Sequence, residues 1–232
     1  MSKIPPSSQQ ESAYDRMGRW YDLLCQGFED KHRNAGVRAL RPGAGDAILD
    51  IGCGSGRAIV ALAAMVGRSG KIYGLDLSKG MLNLARRRVE TASATARVAL
   101  VRGDARQLPF KPSSFNGIFM SFALELFAAR EMQRVLVECR RTLRPGGRVC
   151  VVALSKRGGD NLVAKTYEWL HRKFPQYVDC RPILVRESLE RVRFRTLDMR
   201  VVSVVGLHIE RVLAEKPLRE RPGGQYVQFV SR

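Results

Sequence analysis

Short apolar runs alternate with amphipathic segments along most of the chain, and this alternation predicts the secondary structure. Buried strands are predicted at DAILDIG, KIYGLDL and RVALVRGDA, within FNGIFMSFALELF, and at GRVCVVALS. Helices are predicted between them at RAIVALAAMVG, KGMLNLARRRVETA and EMQRVLVECRRTL, the last ended by the breaker Pro-Gly-Gly at 145–147. In the second of these helices, Met81, Leu84 and Ala85 are predicted to form the apolar face. Strands alternating with helices of this length predict a parallel sheet covered on both faces.

The pattern changes after Ser155. A helix is predicted up to Phe174, followed by a loop punctuated by prolines. TLDMRVVSVV and HIERVLAEK then predict a closing antiparallel hairpin, with Gly206 and Leu207 between the strands. The predicted organisation is an N-terminal helical cap segment at 1–40, an α/β domain at 41–217 with an insertion at about 156–194, and a tail at 218–232.

Composition indicates a folded protein of the cytoplasm. The longest nearly apolar run, from Ala58 to Gly67, is far shorter than the roughly 18 residues that a membrane-spanning helix needs. The N-terminal MSKIPPSSQQESAYD lacks the continuous apolar segment of a signal peptide. The five cysteines are odd in number and form no C-x-x-C pair, so neither a disulfide framework nor a metal site is expected.

The formal charge of +18 is large for 232 residues and attracts anions of every kind. Nucleic acid and the anionic inner face of a membrane are both partners that such a field would serve. The arginines are spread over the chain, which is equally typical of a solvated surface. Charge therefore does not choose between these partners.

The stretch ILDIGCGSGRA contains the pattern that indicates a ligand. Gly52, Gly54 and Gly56 follow the first predicted strand, where ligands of open α/β sheets bind, but Asp50 precedes them. A nicotinamide dinucleotide would bring phosphate to this turn and favours G-x-G-x-x-G spacing, whereas a carboxylate favours a cation. S-adenosylmethionine, which carries an ammonium and a sulfonium and no phosphate, fits this arrangement better.

Two further acids end the next two strands. Asp76 follows Gly56 by 20 residues, the distance at which an acid after the second strand accepts hydrogen bonds from ribose hydroxyls. Asp104 ends the third strand and could accept from the exocyclic amine of an adenine. Three acids at three successive strand ends support a nucleoside ligand.

The motifs ILDIGCGSGRA, GLDLSKGMLNLARRR, GDARQLPF and RRTLRPGGRVCVV together resemble the class I S-adenosylmethionine-dependent methyltransferases. With the Tyr-Asp pairs at 14–15 and 21–22, the chain is most similar to the branch of ubiquinone and menaquinone biosynthesis C-methyltransferases. The resemblance covers about 14–217. It implies a Rossmann-like sheet of seven strands, mostly parallel with a C-terminal antiparallel hairpin, and helices on both faces.

The resemblance also implies a cofactor site. S-adenosylmethionine, which leaves as S-adenosylhomocysteine, would lie near Ser121 at the end of the fourth strand, where the methyl group is transferred. An N-terminal helix carrying aromatic rings would either close over the sulfonium or only anchor itself to the domain. The residues implied to bind the cofactor are Tyr14, Tyr21, Asp50, Gly52, Gly54, Gly56, Asp76, Leu77, Asp104, Ala105 and Ser121.

The acceptor is left open by the sequence. Quinone-ring methyltransferases generally carry an asparagine after the fourth strand, whereas this chain has SFALELF at 121–127. The apolar segment favours a lipophilic acceptor, quinone-like or a lipid head group, methylated by in-line transfer beside an anionic membrane. Its apolar residues could equally pack against the next helix, and Glu125 could equally face the cofactor or solvent.

Two other function classes are weighed against this one. An RNA or protein methyltransferase would use the basic surface, but no RNA-binding motif is present, so nucleic acid is not favoured. A cofactor-binding module without catalysis would keep the same acids and glycines. No catalytic residue and no oligomeric state is predicted.

Overall fold

Seven strands form one sheet in the structure, a computed structural model that describes residues 29–94, 96–158, 181–204 and 207–218. The strands, in chain order, are β1 (Ala47–Ile51), β2 (Lys71–Asp76), β3 (Arg97–Arg102), β4 (Phe115–Ser121), β5 (Leu143–Leu154), β6 (Arg195–Val204) and β7 (Leu207–Glu215). Their order across the sheet is β3-β2-β1-β4-β5-β7-β6. The first five strands pair in parallel, and β7 runs antiparallel to both β5 and β6. The predicted fold class, including the closing hairpin, is confirmed.

Helices cover both faces of this sheet. The described residues 29–40 are helical (α1), and the other helices are α2 (Arg57–Val66), α3 (Lys79–Thr91), α4 (Ala129–Thr142) and α5 (Val185–Arg191). Side chains of α1, α2 and α3 pack in one apolar cluster with Ile48, while those of α4 and α5 pack in another with Leu49. Because successive side chains of a strand point to opposite faces, β1 contributes to both clusters.

The buried face of α3 differs from the prediction. Leu82 and Ala85 are its buried residues, whereas Met81 and Leu84 are 44% and 49% exposed. Positions 82 and 85 are three residues apart and therefore share a face, and Ala85 lies against Gly56. The apolar face was predicted to begin at Met81, but the buried face begins at Leu82. Met81 and Leu84 therefore lie at the surface.

The Pro-Gly-Gly segment also differs from its predicted role as a simple helix breaker. The helix α4 ends at Thr142, and β5 begins at Leu143, so the segment lies within the bounds of the strand. Gly146 has a φ of +75° and its N–H donates to the Lys216 carbonyl at 2.7 Å. The register of β4 against β5 shifts at this point, as expected for a local bulge.

The helix α5 lies within the predicted insertion and was not predicted as a helix. Val185 and Leu189 bury its inner face. Glu210 of β7 is fully buried and accepts hydrogen bonds from the N–H groups of Val185 and Arg186 and from the Ser155 hydroxyl. This part of the predicted insertion is therefore packed on the sheet, while the helix predicted up to Phe174 lies outside the described residues.

Within the described ranges, no helix is both long and apolar enough to span a bilayer. The same residues contain no group of three or more His, Cys, Asp or Glu side chains placed to hold a metal ion.

Candidate functional site

The glycine turn leads from β1 into α2 at the carboxyl edge of the sheet. Gly52, Gly54 and Gly56 all have positive φ, at 67°, 50° and 80°. The N–H groups of Gly52 and Cys53 donate to the Leu75 carbonyl of β2 at 2.8 and 3.1 Å. The turn therefore folds back over the end of the neighbouring strand, in a conformation that favours glycine.

The three glycines of this turn serve different purposes. A Cβ on Gly52 would lie 2.6 Å from the Cβ of Ala123, and one on Gly56 would lie 2.9 Å from the Cα of Ala85. Among the described residues, nothing lies within 4 Å of a Cβ placed on Gly54. Gly52 and Gly56 are therefore required by packing, and Gly54 faces open space.

Asp76 braces the turn from the end of β2. Its Oδ2 accepts from the Gly54 N–H at 2.9 Å, and its Oδ1 accepts from the Ser78 N–H at 2.8 Å. Each carboxylate oxygen has a second acceptor position. Asp76 can therefore hold the turn and still accept hydrogen bonds from a ligand beside it.

Asp50 lies beneath the turn and is the unusual carboxyl of this edge. It is 2% exposed, and its Oδ2 has no hydrogen-bond partner among the described residues. Burial raises the pKa of Asp50 to about 8, although the positive charge of Arg33 lowers it and the charge of Asp76 raises it further. A buried carboxyl with an orphan oxygen costs free energy unless a cation or donor reaches it. The arrangement suits a ligand that carries a positive group.

Basic residues on three helices surround the turn. Arg33 of α1 pairs with Glu29 and Asp30, and Asp30 also pairs with Arg57 at the start of α2. Arg88 of α3 donates through Nη1 to the carbonyl and the hydroxyl of Ser55, each at 2.6 Å. Arg88 thus contacts the turn directly, while the Asp30–Arg57 pair joins α1 to the start of α2.

Sequence comparison agrees with this geometry. A protein family described as a methyltransferase domain matches residues 48–147. The demethylmenaquinone methyltransferase of Symbiobacterium thermophilum is 36% identical over 163 residues, which cover 66% of this chain and 63% of that protein. The enzyme of the same name from Desulfitobacterium hafniense is 27% identical over 223 residues, covering 84% and 87%. Residues 48–147 are thus similar to a methyltransferase domain, and the chain is similar to the demethylmenaquinone methyltransferases.

These matches cover only part of the length of the related proteins. Four demethylmenaquinone methyltransferases at 31% to 38% identity are spanned over only 59% to 65% of their own length. A solved S-adenosylmethionine-dependent methyltransferase from Aquifex aeolicus superposes with a TM-score of 0.60 at 21% identity, covering 79% of this chain and 89% of that one. At that identity the likeness supports the fold. The similarity to the quinone-methylating branch is confirmed.

Asp104, the acid predicted to bind adenine, already has a partner. Both of its oxygens accept from the Arg106 guanidinium, and Arg106 also pairs with Glu131 of α4. These hydrogen bonds hold the pKa of Asp104 below its usual range. Ala105 is buried in the core, whereas Leu77, beside Asp76, is exposed. Any adenine contact of Asp104 would use the acceptor positions that Arg106 leaves.

The segment after β4 turns sharply beside the glycine turn. Ser121 is half-buried at the end of the strand, and Phe122 has a φ of 52° while its N–H donates to the Val152 carbonyl at 2.8 Å. Leu124 is fully buried and Phe127 packs against the same cluster, next to α4. Leu124 and Phe127 therefore pack in the cluster that contains the following helix, whereas Phe122 packs against the opposite cluster and Leu126 is 53% exposed.

Glu125 is buried, so the solvated position that the sequence left open for it is wrong. It is 1% exposed, its Oε1 accepts from the Leu154 N–H at 3.2 Å, and its Oε2 has no partner among the described residues. Burial raises the pKa of Glu125 to about 8, and the charge of Glu29 raises it further. Glu125 thus lies just after β4 and beside the last residue of β5.

Two residues predicted to bind the cofactor are not covered by the described ranges, and two basic residues near the turn were not predicted from the sequence. Tyr14 and Tyr21 lie outside the described residues, so their predicted role stays a prediction. Arg33 and Arg88 were not predicted. Arg88 belongs to the basic run 86–88, and charge alone could not separate it from its exposed neighbours; only the position of α3 against the turn does so.

The described residues fit S-adenosylmethionine. The orphan oxygen of Asp50 suits the ammonium of its methionine end, and the space at Gly54 lets a ligand approach the backbone. Asp76 keeps acceptor capacity for ribose hydroxyls beside that space. A pyrophosphate would meet the two acids Asp50 and Asp76 instead, which disfavours a dinucleotide.

Proposed function

We propose that this chain is an S-adenosylmethionine-dependent methyltransferase that acts on a small, lipophilic, quinone-like acceptor. When bound, S-adenosylmethionine supplies a methyl group that its sulfonium makes electrophilic. The observation that carries the proposal is the buried, unpartnered oxygen of Asp50 beside a glycine turn with open space at Gly54. The acceptor class is supported by relatives named demethylmenaquinone methyltransferases.

The chain's own residues would bind and orient the cofactor. Asp50 and Gly54 would contact its methionine end, Asp76 its ribose, and Leu77 with Asp104 its adenine, while Ser121 would lie beside the reacting centre. The other predicted contacts, Gly52, Gly56 and Ala105, would act mainly by shaping the turn and the edge of the core. Alignment of the two reactants and exclusion of water can supply much of the rate acceleration in such a transfer.

The experiment that tests this function pairs binding with turnover. Calorimetry should detect S-adenosylmethionine, and methyl-labelled cofactor should then transfer label to chemically reduced demethylmenaquinone. Tight cofactor binding without transfer to the quinol, or to any organic-soluble material of a bacterial extract, would overturn the proposed acceptor class. Absence of cofactor binding would overturn the function as a whole.

We further propose peripheral contact with an anionic membrane, where a lipophilic acceptor is dissolved. The net charge of +18 supports it, as does α3, which exposes Met81 and Leu84 beside Lys79, Arg86 and Arg87. Sedimentation with vesicles of anionic lipid, and not with zwitterionic vesicles, is expected. Replacing Met81 and Leu84 by serine should weaken sedimentation more than the same change at Leu197 and Val201, which are exposed on β6; equal losses would contradict the assignment to α3.

A further inference from the structure

Electrostatic interactions link a line of charged side chains from the end of β2, through α1, to the ends of β4 and β5. The charge of Asp76 raises the pKa of Asp50, and the charge of Arg33 lowers it. Arg33 forms an ion pair with Glu29. The charge of Glu29 in turn raises the pKa of Glu125. The first two acids belong to the proposed cofactor side. Glu125 therefore stands at the other end of the line, where β4 and β5 end.

The two buried carboxyls of this line share one feature. Asp50 and Glu125 each keep one oxygen that has no hydrogen-bond partner in the part of the chain that the structure describes. An unpaired buried polar group is costly, and a ligand or a functional contact that satisfies it is one reason for it to be retained. The oxygen of Asp50 is accounted for by the cationic end of the cofactor. The cationic end of the cofactor does not account for the unpartnered oxygen of Glu125.

We propose that Glu125 is the catalytic residue that binds the acceptor's hydroxyl group and takes its proton, which makes the acceptor class a phenol or hydroquinone. The inference rests on the proposed methyltransferase function. The backbone N–H of Leu154 holds Oε1 in place, so that Oε2 is the free acceptor oxygen. A positioned carboxylate of this kind is the usual form of a general base.

The proton and electron balance is simple. The O–H bond of the acceptor breaks and its proton passes to the carboxylate of Glu125. The electron pair left on the oxygen, directly or through the conjugated ring, forms the bond to the methyl carbon. The carbon–sulfur bond breaks at the same time, and the sulfur keeps its pair. If a ring carbon is methylated, its own proton then returns to the oxygen, so one proton is released in either case.

The charges around Glu125 are few in the described residues. Glu29 of α1 raises its pKa, and Arg33 offsets the charge of Glu29 through its ion pair. Arg181 donates to the Phe127 carbonyl, two residues beyond, and Lys156 is exposed just after β5. With a pKa of about 8, Glu125 is well matched to accept a proton near neutral pH.

The test compares Glu125→Gln with Glu90→Gln, the same chemical change at an exposed position of α3. Glutamine keeps an oxygen for the Leu154 N–H, and Glu125→Asp serves as a second variant in case the first fails to fold. With reduced demethylmenaquinone and saturating cofactor, kcat of the parent should rise with pH and reach half of its maximum near pH 8. Glu125→Gln should lower kcat about 100-fold or more and remove the rise, whereas Glu90→Gln should change neither.

A binding measurement makes the inference independent of turnover. With S-adenosylhomocysteine bound, the parent should bind 1-naphthol about ten-fold more tightly than 1-methoxynaphthalene, because only the former donates a hydrogen bond. Glu125→Gln should lose that preference. Equal affinities in the parent, or a preference that survives in Glu125→Gln, would overturn the role of Glu125. A preference lost in Glu125→Gln while the parent leaves demethylmenaquinol unmethylated would support this role and overturn only the quinone acceptor.

Discussion

Asp50 and Glu125 occupy equivalent surroundings at the carboxyl edge of the sheet, each buried and each with one unpartnered oxygen. Burial raises the pKa of both groups to about 8, because the charged form loses its hydration. A cation or a hydrogen-bond donor beside either oxygen would favour ionisation. Asp50 should respond to a cationic ligand, and Glu125 to a ligand that donates a hydrogen bond.

Asp50→Asn should weaken S-adenosylmethionine binding about 10-fold or more, since it removes a charged partner of the ammonium. The parent's affinity should rise with pH towards pH 8, because the ionised form of Asp50 binds the cation, and the variant should lack this rise. Calorimetry between pH 6.5 and 8.5 measures both effects. Asp46→Asn, at the opposite end of β1, is the matched control, and an unchanged affinity in Asp50→Asn would contradict the assignment.

Alanine at Gly54 and Gly56 should separate binding from stability. At Gly56 the added Cβ would lie 2.9 Å from the Ala85 Cα, so Gly56→Ala should lower the free energy of unfolding by about 1–3 kcal/mol. At Gly54 the Cβ meets nothing, so Gly54→Ala should cost about 1 kcal/mol of backbone strain and mainly weaken cofactor binding. Urea unfolding and calorimetry distinguish them; the reverse assignment of effects would refute this division of roles.

At the scale of elements, the site depends on how α3 and α1 hold the turn between β1 and α2. Arg88 reaches Ser55 from α3, and Arg33 acts on Asp50 from α1. These contacts join helices that are distant in sequence to one short loop. The turn's geometry is therefore a property of three helices and not of its glycines alone.

Arg88→Met should weaken cofactor binding several-fold, because methionine keeps much of the apolar stem but cannot donate to Ser55. The effect should fall on affinity more than on stability, since a partly exposed guanidinium contributes modestly to folding. Arg87→Met, on the exposed side of the same helix, provides the control. If both variants bind S-adenosylmethionine equally well, Arg88 does not hold the turn in a way that matters for binding.

Elements with a clear local pattern were predicted well from sequence, and those defined by tertiary contacts were not. The strands from β1 to β5 and the closing hairpin follow from their apolar runs. The seven-residue helix α5 was not predicted, because tertiary contacts stabilise it more than its own sequence does. It packs against the sheet, and its first N–H groups donate to the carboxylate of Glu210. The face of α3 was misplaced because spacing alone cannot say which turn contacts Gly56.

The same limit applies to the candidate site. Asp50, the glycines and Asp76 were placed by their distance from strand ends, which a parallel sheet brings to one edge. The contact of Glu125 with Leu154 and that of Arg106 with Glu131 join residues 25 or more positions apart and leave no local pattern. Residues next to strand ends were thus predictable, and their partners were not.

At the scale of the whole molecule, buried acids should make stability depend on pH in an unusual direction. For Asp50 and Glu125 the folded pKa of about 8 exceeds the unfolded one, so the folded state binds more protons between about pH 4 and 8. Stability should therefore fall as pH rises through this range. Asp104 and Glu138, whose pKa values are lowered, act in the opposite sense but only at acid pH.

Urea unfolding between pH 6.5 and 8 should show this fall, on the order of 1 kcal/mol per pH unit for each group. The double variant Asp50→Asn, Glu125→Gln should have a nearly flat profile over the same range. A parent whose stability is constant from pH 6.5 to 8, or a double variant that keeps the parent's slope, would show that these two acids are not buried in their protonated form.

The central claim is methyl transfer from S-adenosylmethionine to a lipophilic acceptor, and one measurement tests it most directly. The protein is incubated with methyl-labelled cofactor and a whole bacterial extract, and the label is partitioned between organic solvent, RNA and protein. We expect label in the organic phase with the parent and about 100-fold less with Glu125→Gln. Label confined to RNA or protein, or none in any fraction while the cofactor binds, would contradict it.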